Sequence, residues 1–273
     1  MGLSLAEMGA QVLNTADGRA KTALSLQYAQ AWQEARAAGN TLEIGTAPAP
    51  DHPARPEAPR LCAPKDVAKR KPGSPEGRIA LLHAVAHIEL NAVDLHWDII
   101  ARFGHIPMPL GFYDDWVKSG AEEAKHFNLI CDCLEQQGSF YGALSAHAGM
   151  WRAAEDTKTD LLGRLAVVPM VLEARGLDVT PNMIKLFKQA KETQAVDALE
   201  LIYSEEVTHV AYGSKWFNFL CGRDDKDPKQ VFHALVRKYF KGNLKPPFNA
   251  EKRADAGIPP DFYWPLTENI EYP

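Results

Sequence analysis

SGAEEAKHFNLICDCL (Ser119–Leu134) carries two side chains that an amphipathic helix should not bury. Its apolar positions follow three- and four-residue steps, and Glu123 stands among them with His126 three residues on. Residues at i and i+3 are neighbours on a helix surface, so Glu123 and His126 form one ligand-like pair. The arrangement returns in SEEVTHVAYGSKWF (Ser204–Phe217), where Glu206 and His209 keep the spacing. A second acid precedes each pair, Glu122 in one and Glu205 in the other.

Upstream of each motif stands a lone glutamate, Glu89 at 34 residues before Glu123 and Glu173 at 33 before Glu206. Glu89 falls in the stripe Leu82, Ala86, Val93, Trp97, Ile100, and Glu173 shares a face with Leu162, Leu165, Pro169 and Leu172. The chain thus contains one helix pair used twice. Burying an unpaired carboxylate costs several kcal/mol, and four together need compensating positive charge. No Lys or Arg shares these stripes, which leaves metal ions.

Start and stop signals place the helices. Ser74 and Pro75 open one that runs to Phe103 and stops at Gly104, and a second spans Asp114 or Asp115 to just before Gly138. After a connection of roughly 20 residues, long for a loop and suited to a crossover along a bundle, a third helix covers Thr159–Arg175 and stops at Gly176. Thr180 and Pro181 begin a short piece, and the last long helix covers Thr193–Cys221. Alternating strand patterns are absent. The expected fold is all-α, a ferritin-like four-helix bundle with a long crossover.

Prolines mark the rest. Of 19, eight fall between Pro48 and Pro75 and seven from Pro228 onward. The expected division is an N-terminal helical segment (1–46, with one or two helices in Leu3–Ala37), a proline-rich arm (47–75), the bundle (76–223), and a C-terminal helix with an extended tail (224–273). Thirty basic and 35 acidic residues give a net charge of −5. The one basic run, Lys65–Lys71, is short and proline-flanked, so a nucleic-acid partner is not expected. Four scattered cysteines form no disulfide framework or zinc pattern. The N-terminus lacks a signal-peptide pattern, and the longest apolar run, Leu165–Leu172, is broken by Pro169 and too short for a bilayer. A cytoplasmic protein with no membrane partner is expected.

The runs His87–Leu95, Glu173–Asp178 and Lys245–Asn249, with both E-E-x-x-H motifs, resemble an uncharacterised ferritin-like family, the domain of unknown function numbered 455. The ligand pattern is more distantly similar to di-iron carboxylate oxygenases, ribonucleotide reductase small subunits and tRNA-modifying hydroxylases of the ferritin-like superfamily. The resemblance implies that Glu123 and Glu206 bridge two metals, that Glu89 and Glu173 are terminal carboxylates, and that His126 and His209 bind one metal each. Four carboxylates and two imidazoles suit iron, with manganese or a mixed Fe/Mn pair as the alternative. Glu122 and Glu205 match acids that orient the histidine of the opposite motif; their other reading is a solvated surface charge.

Several residues carry two readings. His96, seven after Glu89, is a proton relay or extra ligand, or else a satisfied core histidine. His83 and His87 turn away from Glu89 and read as hydrogen-bonded structural groups. Tyr203 and Tyr212 flank the second motif as proton or electron donors or as core packing. Pro169 should kink its helix. Cys131 and Cys133 point to different faces and cannot chelate together.

The function these signals imply is a dinuclear oxidoreductase that activates O2 to oxidise a small organic substrate near Trp97, Phe127 and Phe217. No flavin or nicotinamide fingerprint is present, so an electron-donor reductase is implied. The alternatives are an iron-handling ferroxidase or storage protein, and a non-catalytic helical protein with a structural metal. The oligomeric state stays open, with a homodimer among the options.

Overall fold

Ser4 and Glu7 form a reciprocal cap: the Glu7 N–H donates to Ser4 Oγ at 3.3 Å and the Ser4 N–H to Glu7 Oε2 at 2.7 Å. With this the first helix begins in the computed structural model, which describes residues 2–63, 66, 70–147 and 149–267. Most of Lys65–Lys71 and the last six residues of the tail lie outside the described residues. The fold is all-α, as expected, with two two-residue strands among the described residues. The chain divides into two compact units, Met1–Arg152 and Ala153–Pro273.

The first unit holds α1 (Leu5–Leu13), α2 (Gly18–Ala37), β1 (Leu61–Cys62), α3 (Pro75–Phe103), α4 (Leu110–Gln136) and β2 (Ala146–His147). Ser74 caps α3 by accepting the Gly77 N–H at 3.1 Å, with Pro75 at the first helical position. The bounds of α3 match the expectation. By contrast, α4 begins at Leu110, four or five residues before Asp114 and Asp115. Pro109 sits at its N-cap without a side-chain cap, and its fixed φ of −59° sets the boundary. Phe112, Tyr113 and Trp116 in the early turns are buried, so packing replaces the missing cap signal. Helices α3 and α4 pack on each other, α2 lies on α4, and α1 lies on α3.

The proline-rich arm between α2 and α3 is pinned to this unit. Prolines lack N–H donors, so such a segment presents unpaired carbonyls. Donors come to it: Arg102 Nη2 reaches the Pro50 carbonyl at 2.6 Å, Trp151 Nε1 the Asp51 carbonyl at 2.9 Å, and Lys21 Nζ the Ala54 carbonyl at 3.1 Å. At its far end β1 pairs in parallel with β2, Leu61 opposite Ala146.

α5 (Trp151–Asp156) follows in the sequence. The second unit then holds α6 (Leu161–Val167), a π-helical segment (Val168–Glu173), α7 (Ala174–Ala190), α8 (Thr193–Arg223), α9 (Pro228–Tyr239), α10 (Ala250–Asp255), α11 (Pro260–Tyr263) and a 3-10 turn at Trp264–Leu266. Two expectations are corrected here, the start of the third helix and its stop at Gly176. The third helix starts at Leu161, capped by Asp160, which accepts the Gly163 N–H at 2.8 Å. Pro169 is absorbed by a π-helical stretch, in which the normal i to i−4 ladder is already relaxed. The chain also stays helical through Gly176 and Pro181 to Ala190. Gly176 costs about 1 kcal/mol of propensity, while Leu177, Ile184 and Phe187 are buried along one face and outweigh it. Helix α8 runs two residues past Cys221. No helix among the described residues is long and apolar enough to cross a membrane.

Candidate metal centre

In the first unit, α3 presents Glu89 and α4 presents Glu123 and His126. Regular helical spacing puts the α4 pair on one face, and the packing of α3 against α4 brings Glu89 to it. His126 Nδ1 lies 3.2 Å from Glu89 Oε2 and 3.4 Å from Glu123 Oε2. One ligand atom from each of the three lies within 4.8 Å of the others, and all three residues are buried. Burial, and then the charge of Glu123, push the Glu89 carboxyl well above its usual range, with His126 opposing. The cluster therefore needs a proton or a cation, and His126 Nδ1, the ring nitrogen facing both carboxylates, stands where either would be shared. Mixed carboxylate and imidazole donors in a dry setting fit a divalent transition metal.

His96 is fully buried, meets Trp116 in a tilted ring contact with centroids 5.3 Å apart, and has a ring nitrogen within 4.8 Å of a Glu123 carboxylate oxygen. His83 and His87 serve structure, as expected. His83 Nε2 accepts the Gly142 N–H at 3.0 Å. His87 Nε2 lies 3.1 Å from the His147 carbonyl and Nδ1 2.9 Å from Tyr141 Oη, an arrangement for a neutral ring. Burial drives both down to about 4. Glu122 is half-buried on the α2 side of α4, 3.8 Å from Lys118 Nζ. Trp97 and Phe127 are core residues, and the Trp97 indole donates to Ser25 Oγ at 2.7 Å. Trp97 approaches α4 where Gly120 leaves room, since a Cβ there would sit 2.8 Å from Trp97 Nε1.

In the second unit, Glu173 ends the π-helical segment, while Glu206 and His209 lie on α8; all three are buried. His209 Nδ1 is 3.5 Å from Glu206 Oε1. One turn beyond His209, Gly213 admits Pro169, whose Cβ and Cγ lie 2.4 Å from where a Gly213 Cβ would be. That contact seats the π-helical segment on α8. Glu205 is half-buried, and Tyr212 is partly exposed with Lys215 Nζ 5.9 Å from its ring centre. Tyr203 Oη accepts from Asn249 Nδ2 at 2.8 Å, and burial raises its phenol. Phe217 packs edge-on against Phe232.

Sequence reasoning passed over a second repeat. Asp94 lies five residues after Glu89, and Asp178 five after Glu173. On a helix with 3.6 residues per turn this offset points the aspartate well away from the glutamate. Each aspartate is buried against a cation from an outer helix, Lys21 of α2 on Asp94 and Arg253 of α10 on Asp178. Arg253 is bidentate, with Nε 2.9 Å and Nη2 2.7 Å from the carboxylate. The matching offset was visible in the sequence; the distant cations were not.

The chain matches, over residues 14–264, the family described as protein of unknown function (DUF455). It is similar to an uncharacterized protein of Haemophilus influenzae, 41% identical over 208 residues that cover 74% of this chain and 72% of that one. No solved structure matches it. The chain belongs to the DUF455 family.

Proposed function

We propose that the protein is a ferritin-like dinuclear carboxylate oxidoreductase, with iron the favoured metal, acting in a reducing, cytoplasmic setting. The buried Glu89–Glu123–His126 cluster carries this reading, and the recurrence of its pattern in Glu173, Glu206 and His209 supports a second ion. When bound, such a pair of ions supplies two-electron chemistry toward O2: one oxygen atom enters a substrate C–H bond as C–OH, the other leaves as water, and a separate reductase supplies two electrons with two protons. Glu89, Glu123 and His126 hold metal on one helix pair, and Glu173, Glu206 and His209 do so on the other. The apolar surroundings of the carboxylates exclude water. His96, beside Glu123, serves as a proton relay or an extra ligand, and Glu122 and Glu205 orient the histidines.

The test is to load the apoprotein with Fe(II) without oxygen, count metal, and mix with O2 while recording visible spectra. About two ions per chain and a new visible band are expected; fewer ions or an unchanged spectrum sinks the reading. Glu206→Ala and Glu123→Ala should each weaken loading by more than the roughly 10–100-fold that a supporting residue costs. Loading that survives either change unaltered removes that residue from the ligand set.

A further inference from the structure

Two sequence runs that the metal reading leaves unused, Arg175–Asp178 and Lys245–Asn249, meet in the second unit. Arg175 Nη1 donates to the Lys245 carbonyl at 2.8 Å and the Pro247 carbonyl at 3.0 Å, and the Asn249 N–H donates to Asp178 at 2.9 Å. Beside this junction lies a cavity of about 450 Å3, walled by Arg175, Lys241, Lys245, Arg253, Phe240 and Phe248. Of the eleven residues that line it, four are cations and none is acidic. Among the described residues the acid bonded to them is Asp178, which lies outside the wall and is held by Arg253, Arg175 and the Asn249 N–H.

Arg253 shows what is missing. It is 3% exposed, and its guanidinium carbon stands 5.0 Å from the Phe248 ring centre and 4.8 Å from that of Tyr263. Nε and Nη2 are used by Asp178, and Nη2 also reaches the Ala174 carbonyl at 3.2 Å. Nη1 is buried with no hydrogen-bond partner among the described residues. A buried charged donor left unmatched is costly, and an acceptor in the cavity would relieve it. Gly242 forms the rim at φ +131°, a conformation side chains disfavour, and no atom stands where its Cβ would be.

We propose that this cavity binds an organic anion, a phosphate monoester or a carboxylate carrying an apolar body. Arg253, Lys241, Lys245 and Arg175 meet the charged group, and Phe240 and Phe248 meet the body. Leu172 of the π-helical segment is also in the wall, but binding here requires no metal.

Calorimetric titration of the full-length apoprotein with phenyl phosphate, benzoate and neutral benzyl alcohol tests this. At least one anion should bind at least tenfold more tightly than the alcohol, and the order of the two anions identifies the head group. Lys241 and Lys245 are exposed, so Lys241→Ala/Lys245→Ala should fold normally, checked by its melting temperature, and should weaken the favoured anion tenfold or more. Equal binding of the alcohol, no binding of either anion, or an unchanged affinity in the double variant each overturns the proposal.

Discussion

Glu89 and Glu173 hold the same place in two helix pairs, and the helices that carry them differ. The downstream E-x-x-H pairs are set alike: Glu123 lies 13 residues after Leu110, the first residue of α4, and Glu206 13 after Thr193, the first of α8. Upstream, α3 is an unbroken α-helix, whereas Glu173 follows Pro169 through a π-helical stretch. A longer α7 and a two-residue turn in the second pair offset a shorter run and a six-residue loop in the first. A rigid helix thus fixes each E-x-x-H pair, while the lone glutamate tolerates two backbone solutions. The outer faces are again alike, with Asp94 and Asp178 each bonded to a cation, and each proline-rich segment fastened through its carbonyls.

The largest effects should come from those outer aspartates. Removing one partner of a buried ion pair strands the other, which costs about 3–5 kcal/mol. Asp178 also accepts the Asn249 N–H and lies 3.4 Å from Arg175, while Lys21 has the Ala54 carbonyl as a second partner. Asp178→Ala should therefore cost more than Asp94→Ala in urea denaturation. Replacing both partners together, Lys21→Met with Asp94→Leu, should be near neutral. Equal losses for the double and single variants would show that the pair stabilises by its charge rather than merely avoiding an orphan.

A smaller effect separates the units by pH. His87 stands two residues before Glu89, and the matching position before Glu173 is Val171, which cannot titrate. The His87 ring falls from 6.5 to about 4 on folding, so its stabilisation is complete above pH 6.5 and is lost as pH drops toward 4. Glu89, and Asp94 raised to about 6, take up protons preferentially when folded and so oppose this loss. The groups facing His87 are Tyr141, His147, His83, Asn91 and Arg55. His87→Gln isolates the term: between pH 6.5 and 4 the wild type should lose on the order of 2 kcal/mol relative to the variant. A pH-independent difference would mean that the ring is not held neutral.

The same contrast explains what could be read beforehand. The core stripes follow local periodicity, so α3, α8 and the burial of Glu89, Glu123, His126, Glu173, Glu206 and His209 were legible from the chain. The start of α4 was not, because Pro109 replaces the side-chain cap that sequence rules look for. Nor was the continuation through Gly176 and Pro181, where burial of Leu177, Ile184 and Phe187 overrides breaker residues. Lys21 and Arg253 were invisible for a different reason: they lie 73 and 75 residues from their aspartates, and no local pattern reports such pairings.

The finest test of the two backbone solutions lies at the glycines of the ligand helices. Alanine gains about 1 kcal/mol of helix propensity over glycine, while forcing a methyl into a filled site costs about 1–3 kcal/mol. At Gly213 the new Cβ would meet Pro169 Cβ and Cγ at 2.4 Å, atoms that cannot swing aside because the ring is closed on the backbone. At Gly120 it would meet the Trp97 indole at 2.8 Å, a side chain with two torsions and one hydrogen bond, to Ser25. Gly213→Ala should therefore lower stability by about 1–2 kcal/mol and Gly120→Ala by less, read as urea midpoints. The opposite order would mean that the π-helical segment moves off α8 more easily than Trp97 turns, making it the softer of the two seats.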